Sequence, residues 1–182
     1  MPRLNRLHNV AVLLGMLLAL PAWALRCGYA EGYPPFQYQE NGQAAGFDVR
    51  LLQKLAQQLN QPLELVAGRW DDIVARARLG QLDCVAGMEI SPARQTWLSF
   101  TRPYYQRHIN AFVRFDNTDL RTFSDLLGKI IAGDRDSAIE HELELLGIRQ
   151  QIRMRQMPSK QQSMLLLQQG EVAAVIMPDA VA

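Results

Sequence analysis

The chain has 182 residues, 48% of them hydrophobic and 20% charged, with a formal net charge of +1. That much apolar material supports a folded core and excludes disorder, and so even a charge, with no Lys/Arg cluster, excludes a nucleic-acid surface. Two cysteines and three scattered histidines make no ligand spacing, so neither a metal nor a cofactor is expected.

Arg3 and Arg6 precede an apolar run at 10–20, Pro21 breaks it, and Ala22-Trp23-Ala24 has small-x-small form. This pattern predicts a secretory signal over 1–24, cut after Ala24. The run is short for a membrane span, which takes ~20 apolar residues. Arg26 precedes Cys27, which argues against a lipidated cysteine. In an oxidising compartment Cys27 and Cys84 are free to pair. Each also sits in an apolar, strand-like run where a thiol acts as a small hydrophobe, and the sequence leaves both readings open.

The mature chain reads as strands alternating with helices. A strand at 25–30 leads into Tyr33-Pro34-Pro35-Phe36, whose prolines exclude helix. A short strand at 37–39 and a turn at 40–43 come next. Asp48 is expected to cap a helix whose Leu51, Leu52, Leu55 and Leu59 recur at helical spacing. A strand follows at 63–66, a helix at 73–79 with Gly80 after it, and a strand at 82–87. Ser91 caps a turn with Pro92 at its first position. A strand at 110–114 closes the first half, and the crossing to a second half is expected just before Asp116-Asn117-Thr118-Asp119.

In that second half a helical turn at 123–127 precedes a strand at 129–132. Ser137 caps a helix to 146, with Glu140 completing a capping box. A short strand at 152–154, a helix at 160–168 capped by Ser159, and a strand at 172–177 complete the pattern. Alternation of this kind predicts an α/β fold with mostly parallel sheets.

The motifs follow a recognisable order: Tyr33-Pro34-Pro35-Phe36, Gly46-Phe47-Asp48, Trp70-Asp71, Gly80-Gln81-Leu82-Asp83, Gly87-Met88, Ser91-Pro92-Ala93-Arg94, Phe100, Pro103-Tyr104-Tyr105 and Leu126-Leu127-Gly128-Lys129. The series resembles the family 3 bacterial extracellular solute-binding proteins, the polar amino-acid-binding components of ABC importers. That resemblance implies a type II periplasmic-binding fold of two α/β lobes, 25–114 and 115–182, the second incomplete. Relatives continue beyond this point and return to lobe one, so a truncated frame or fragment is expected. It implies a monomer that works in the periplasm, takes a small amino-acid-like ligand and docks on an inner-membrane ABC permease. A sensory domain and a dehydratase of the same fold are the alternatives. No Ser or Cys sits in a nucleophile motif, so an enzyme is not expected, and Glu89 is the one candidate general acid.

Residue roles follow from the same resemblance. Arg94 is placed to bind a carboxylate, which a planar guanidinium suits, and Ser137 sits at a helix start that favours the same anion. Tyr33 and Trp70 fall at stacking positions. Gly87, Met88 and Glu89 occupy a stretch where relatives usually carry hydroxyls, and Glu89 puts a carboxylate there, to meet an ammonium, to meet a cationic side chain, or to pair with Arg94. The ammonium-binding aspartate falls on Pro178 by strict alignment, with Asp179 one residue away.

Overall fold

The computed structural model describes residues 23–135 and 137–181. All but the last two residues of the expected secretory segment lie outside the described residues. Among the described residues no helix is long and apolar enough to cross a membrane.

Strand β1 (Leu25–Ala30) is the centre of the first sheet. It pairs in parallel with β5 (Leu63–Gly68) on one side and β6 (Cys84–Val85) on the other. Beside them β2 (Gly32–Tyr33), β3 (Gln37–Glu40) and β4 (Gln43–Ala45) form a small antiparallel meander. Helix α1 (Phe47–Gln58) follows the meander and α2 (Trp70–Arg78) follows β5. Alternate residues of β1 point to opposite faces. Tyr29 packs with Val49 of α1 and with Ala86. On the other face Gly28 lets Ile73 of α2 come close, since a Cβ there would meet Ile73 Cγ2 at 2.7 Å. The helices therefore cover opposite faces of one parallel sheet, as expected of α/β units.

Cys27 and Cys84 are register partners across β1 and β6 and form a disulfide with Cα atoms 4.5 Å apart. Register settles what sequence left open, because two side chains directly opposite on neighbouring strands share one face.

Two expectations for α1 need correction. The residue before the helix is Gly46, with φ 111°, and a Cβ there would fall 2.2 Å from Phe36 O, so only glycine fits. Asp48 lies inside the first turn, is buried, and binds other elements rather than capping. The helix buries Val49 and Ala56, while Leu51, Leu55 and Leu59 are 38%, 43% and 56% exposed. Leu52 packs inward with Val49 against the cluster of Tyr29 and Ala86, while Leu51, Leu55 and Leu59 face outward.

The short α3 (Pro92–Gln95) follows, capped by Ser91, whose Oγ accepts from Arg94 N at 3.3 Å. Strand β7 (Ile109–Phe112) then pairs antiparallel with β10 (Ala174–Pro178) in a second sheet of order β7-β10-β8-β9. The change of sheet thus falls between Val85 and Ile109, ahead of the place expected near Asp116. The strand itself was expected at 110–114, but local sequence does not say which sheet an antiparallel strand joins.

The rest of that sheet is parallel: β8 (Ile130–Ala132) lies between β9 (Arg153–Arg155) and β10. Its helices are α4 (Ala138–Leu145) and α5 (Lys160–Gln168). Ile131 and Ile176 pack with Leu143 of α4, whereas Ala132, Val175 and Met177 pack with Leu166 and Leu167 of α5. Strand alternation divides the core into two layers, and the buried strand β10 reads as a continuous apolar run. Ser137 and Ser159 cap α4 and α5, their hydroxyls accepting from Glu140 N at 3.2 Å and Gln162 N at 3.3 Å.

Candidate functional site

A cleft with charged residues in its walls lies between the two sheets and is lined from both. From the first lobe come the β1–β2 junction with Tyr33, the start of α2 with Arg69 and Trp70, and the turn after β6 with Gly87 and Glu89. The second lobe brings Asp134, Ser137, Gln156, Lys160 and the end of β10. Arg107, just before β7, lines it as well. The two walls touch. Arg69 Nη2 donates to Gln156 Oε1 at 3.3 Å, and a Cβ on Gly32 would meet Pro158 O at 2.9 Å.

Charge is concentrated at the turn after β6. Glu89 Oε2 accepts from Arg94 Nη1 at 2.9 Å and Oε1 from Arg107 Nη2 at 2.5 Å. Both arginine side chains are 7% exposed. Arg107 also donates to Gly87 O at 3.0 Å and to the Tyr33 hydroxyl at 2.8 Å. Burial is the largest single influence on Arg107 and opposes its charge, but Glu89, Tyr33, Tyr105 and Asp48 together outweigh it and hold the pKa above the ordinary value. Burial likewise pushes the Tyr33 hydroxyl far up, against the pull of Arg107, so Tyr33 stays a neutral donor and acceptor. Arg94 reaches over the Trp70 ring at 5.6 Å, and Arg107 over the Tyr33 ring at 5.4 Å, geometries that favour a cation.

Behind this turn lies a second polar layer. Asp48 Oδ2 accepts from Gln37 Nε2 at 2.7 Å and from the Tyr105 hydroxyl at 3.0 Å, and Oδ1 accepts from the Tyr104 hydroxyl at 3.2 Å. Tyr104 in turn accepts from Gly87 N at 3.1 Å. Gly87 has φ 58°, and its missing Cβ leaves room for Asp48 Oδ2, which would lie 2.2 Å away. Burial raises the Asp48 carboxyl above 3.8 even though three hydrogen bonds pull it down. On the opposite wall Lys160 pairs with Asp134 and lies over the Tyr33 ring at 5.9 Å.

The eight expected residues divide accordingly. Tyr33, Trp70, Gly87, Glu89 and Ser137 meet in the cleft. Arg94 is buried beside it, bound to the Glu89 carboxylate. Met88 and Asp179 are not brought to the lining. Asp179 follows β10 with its side chain 52% exposed toward His108, while Pro178 takes the place on the cleft wall. Sequence reading missed Arg107, Asp134 and Lys160. Arg107 belongs to no motif, and only the path of the chain back over Gly87 reveals it. Lys160 had one signal, its place just after the Ser159 cap.

Two sheet-and-helix lobes, one crossing between their sheets among the described residues, and a charged cleft where the lobes meet define a two-lobed α/β ligand clamp. The chain belongs to the bacterial extracellular solute-binding proteins, family 3, whose sequence profile matches residues 25–176. It is similar to the ABC transporter arginine-binding protein 1 of Escherichia coli K12, with 27% identity over 165 residues, 90% of this chain and 66% of that protein. The L-cystine-binding protein TcyJ of the same organism is 33% identical over 108 residues, 58% of this chain and 41% of that protein. Among solved structures it resembles an ancestral arginine-binding protein bound to arginine, with a TM-score of 0.76 and 27% identity, covering 87% of this chain and 71% of that one. Matches to the first curated relatives span 38% to 66% of those proteins' own length.

Proposed function

We propose that the chain captures a small, polar, amino-acid-like solute between its lobes as the substrate receptor of an ABC importer. The observation that carries the reading is the cleft itself. Charged pairs stand on both walls, Arg107–Glu89 and Lys160–Asp134, with Tyr33 and Trp70 among them. A zwitterionic solute loses its water on entry and needs partners of both signs, because an unpaired buried charge is very costly. Tyr33 and Trp70 offer faces for the rest of the solute, and the start of α4 at Ser137 adds free N–H groups. Capture shifts a hinge equilibrium toward the closed arrangement, and the closed form docks on an inner-membrane permease. The protein acts as a monomer in the periplasm after its secretory signal is removed. A binding role is preferred to an enzymatic one because Glu89, the candidate general acid, is engaged by two guanidinium groups.

A thermal-shift screen of the secreted protein against amino acids, polyamines and small organic acids tests this. A solute at a hundred times its Kd stabilises the folded state by about 2.7 kcal/mol, which raises the melting temperature measurably. A folded protein that responds to none of these compounds refutes the receptor reading.

A further inference from the structure

This inference rests on the cleft being the solute site. Glu89 sits between two guanidinium groups that are themselves shut away from water: Arg94 on one carboxylate oxygen, Arg107 on the other. A planar carboxylate clasped by two arginines is the arrangement by which proteins hold a small organic anion. The anion held here belongs to the chain. It is held by more than its charge, because Arg94 Nη1 also donates to the Glu89 backbone oxygen at 3.1 Å. Arg107 is in turn fixed by Gly87 O and the Tyr33 hydroxyl. A tethered group of this kind competes at a high effective concentration against anything free in solution. A ligand carboxylate would have to expel Glu89, and an expelled carboxylate in a half-buried cleft loses both partners at once.

We infer that Glu89 is the specificity-determining residue of the cleft: its carboxylate fills a seat formed by Arg94 and Arg107 and keeps ligand carboxylates out of it. The solute class narrows accordingly, to amines and other polar solutes held through Tyr33, Trp70 and the Lys160–Asp134 wall. A free α-carboxylate contributes little to their binding.

The test uses the secreted protein and its Glu89→Ser variant, with three probes: formate, L-arginine and agmatine, which is arginine without its carboxylate. Formate is expected to raise the melting temperature of Glu89→Ser saturably and to leave the parent unmoved. The parent binds L-arginine no tighter than agmatine. In the variant L-arginine gains about tenfold or more, the worth of a charge-assisted hydrogen-bonded pair, while agmatine gains nothing. The inference is overturned if the parent holds L-arginine at least about tenfold tighter than agmatine, or if a cooperatively melting variant gives no saturable response to formate. Should Glu89→Ser not melt cooperatively, Glu89→Ala, which also empties the seat, takes its place under the same criteria. If neither arginine nor agmatine binds either protein, the formate result still decides the seat, and the receptor reading is judged on the wider solute screen.

Discussion

Cutting the Cys27–Cys84 bridge gives the sharpest check on how the first lobe is held. The two cysteines are 57 residues apart in sequence, so the bridge closes β1, the meander, α1, β5 and α2 into one loop. In the chain-entropy description a loop of that length confines the unfolded chain by about 4 kcal/mol. For a protein of this size, that corresponds to a fall of about 8–16 °C in melting temperature. The perturbation is the double variant Cys27→Ala/Cys84→Ala, which avoids the need for a reductant to reach the fully buried Cys27. Calorimetry reads the melting temperature, and urea unfolding reads the m-value. Because the bridge acts mostly on the unfolded ensemble, its loss should raise m as well as lower stability. Lost packing of two small sulfur atoms alone would leave m where it was. A double variant melting within about 2 °C of the parent with an unchanged m would refute the reasoning.

Two further outcomes follow from the cleft. Gly32→Ala puts a methyl group 2.9 Å from Pro158 O and 3.2 Å from Ser159 Cβ, so the lobes cannot come as close. Solute affinity by titration calorimetry should fall about tenfold or more as the competent closed state loses population, with the stability of the solute-free protein changed by less than about 1 kcal/mol. Equal affinity would show that this contact plays no part in closure. Asp48→Asn tests the buried carboxyl. Its folded pKa is raised above 3.8, chiefly by burial, so the folded state binds the proton more tightly than the unfolded one. The stability it contributes is present at low pH and is lost as pH rises from 3.8 through the folded value. The unfolding free energy of the parent minus that of Asp48→Asn should therefore decline over that window and then level off, as read by urea unfolding at a series of pH values. Parallel curves would contradict the assignment.

How far the sequence reached depends on whether a feature is local. Ser91, Ser137 and Ser159 were legible as caps because the relation between a hydroxyl and an N–H three residues on is written in the sequence itself. The order of strands and helices was legible for the same reason. Asp48 misled because a carboxylate ahead of an apolar run is an ordinary cap signal, and nothing local says that Gln37, Tyr104 and Tyr105 fold over it. The leucines of α1 misled in part, because periodicity finds an apolar stripe without saying which edge of it meets the sheet: Leu52 packs inward beside Val49, and Leu51, Leu55 and Leu59 do not. Cys27 and Cys84 could not be paired without register. Within the cleft, Tyr33, Trp70, Gly87, Glu89 and Ser137 came from motif order. Arg107 and Lys160 did not, because their places depend on the chain crossing between sheets and on the second lobe meeting the first.

That crossing has a mechanical meaning. Residues 86–108 carry the chain from one sheet to the other, and the same stretch supplies Glu89, Arg94 and Arg107, cross-braced by ion pairs to one another and by Tyr104 and Tyr105 to Asp48. If the lobes turn as the proposed capture requires, the strap they turn on and the Glu89 clasp are one stretch of chain. With Glu89 seated between its two arginines, that strap is braced whether or not a solute is present.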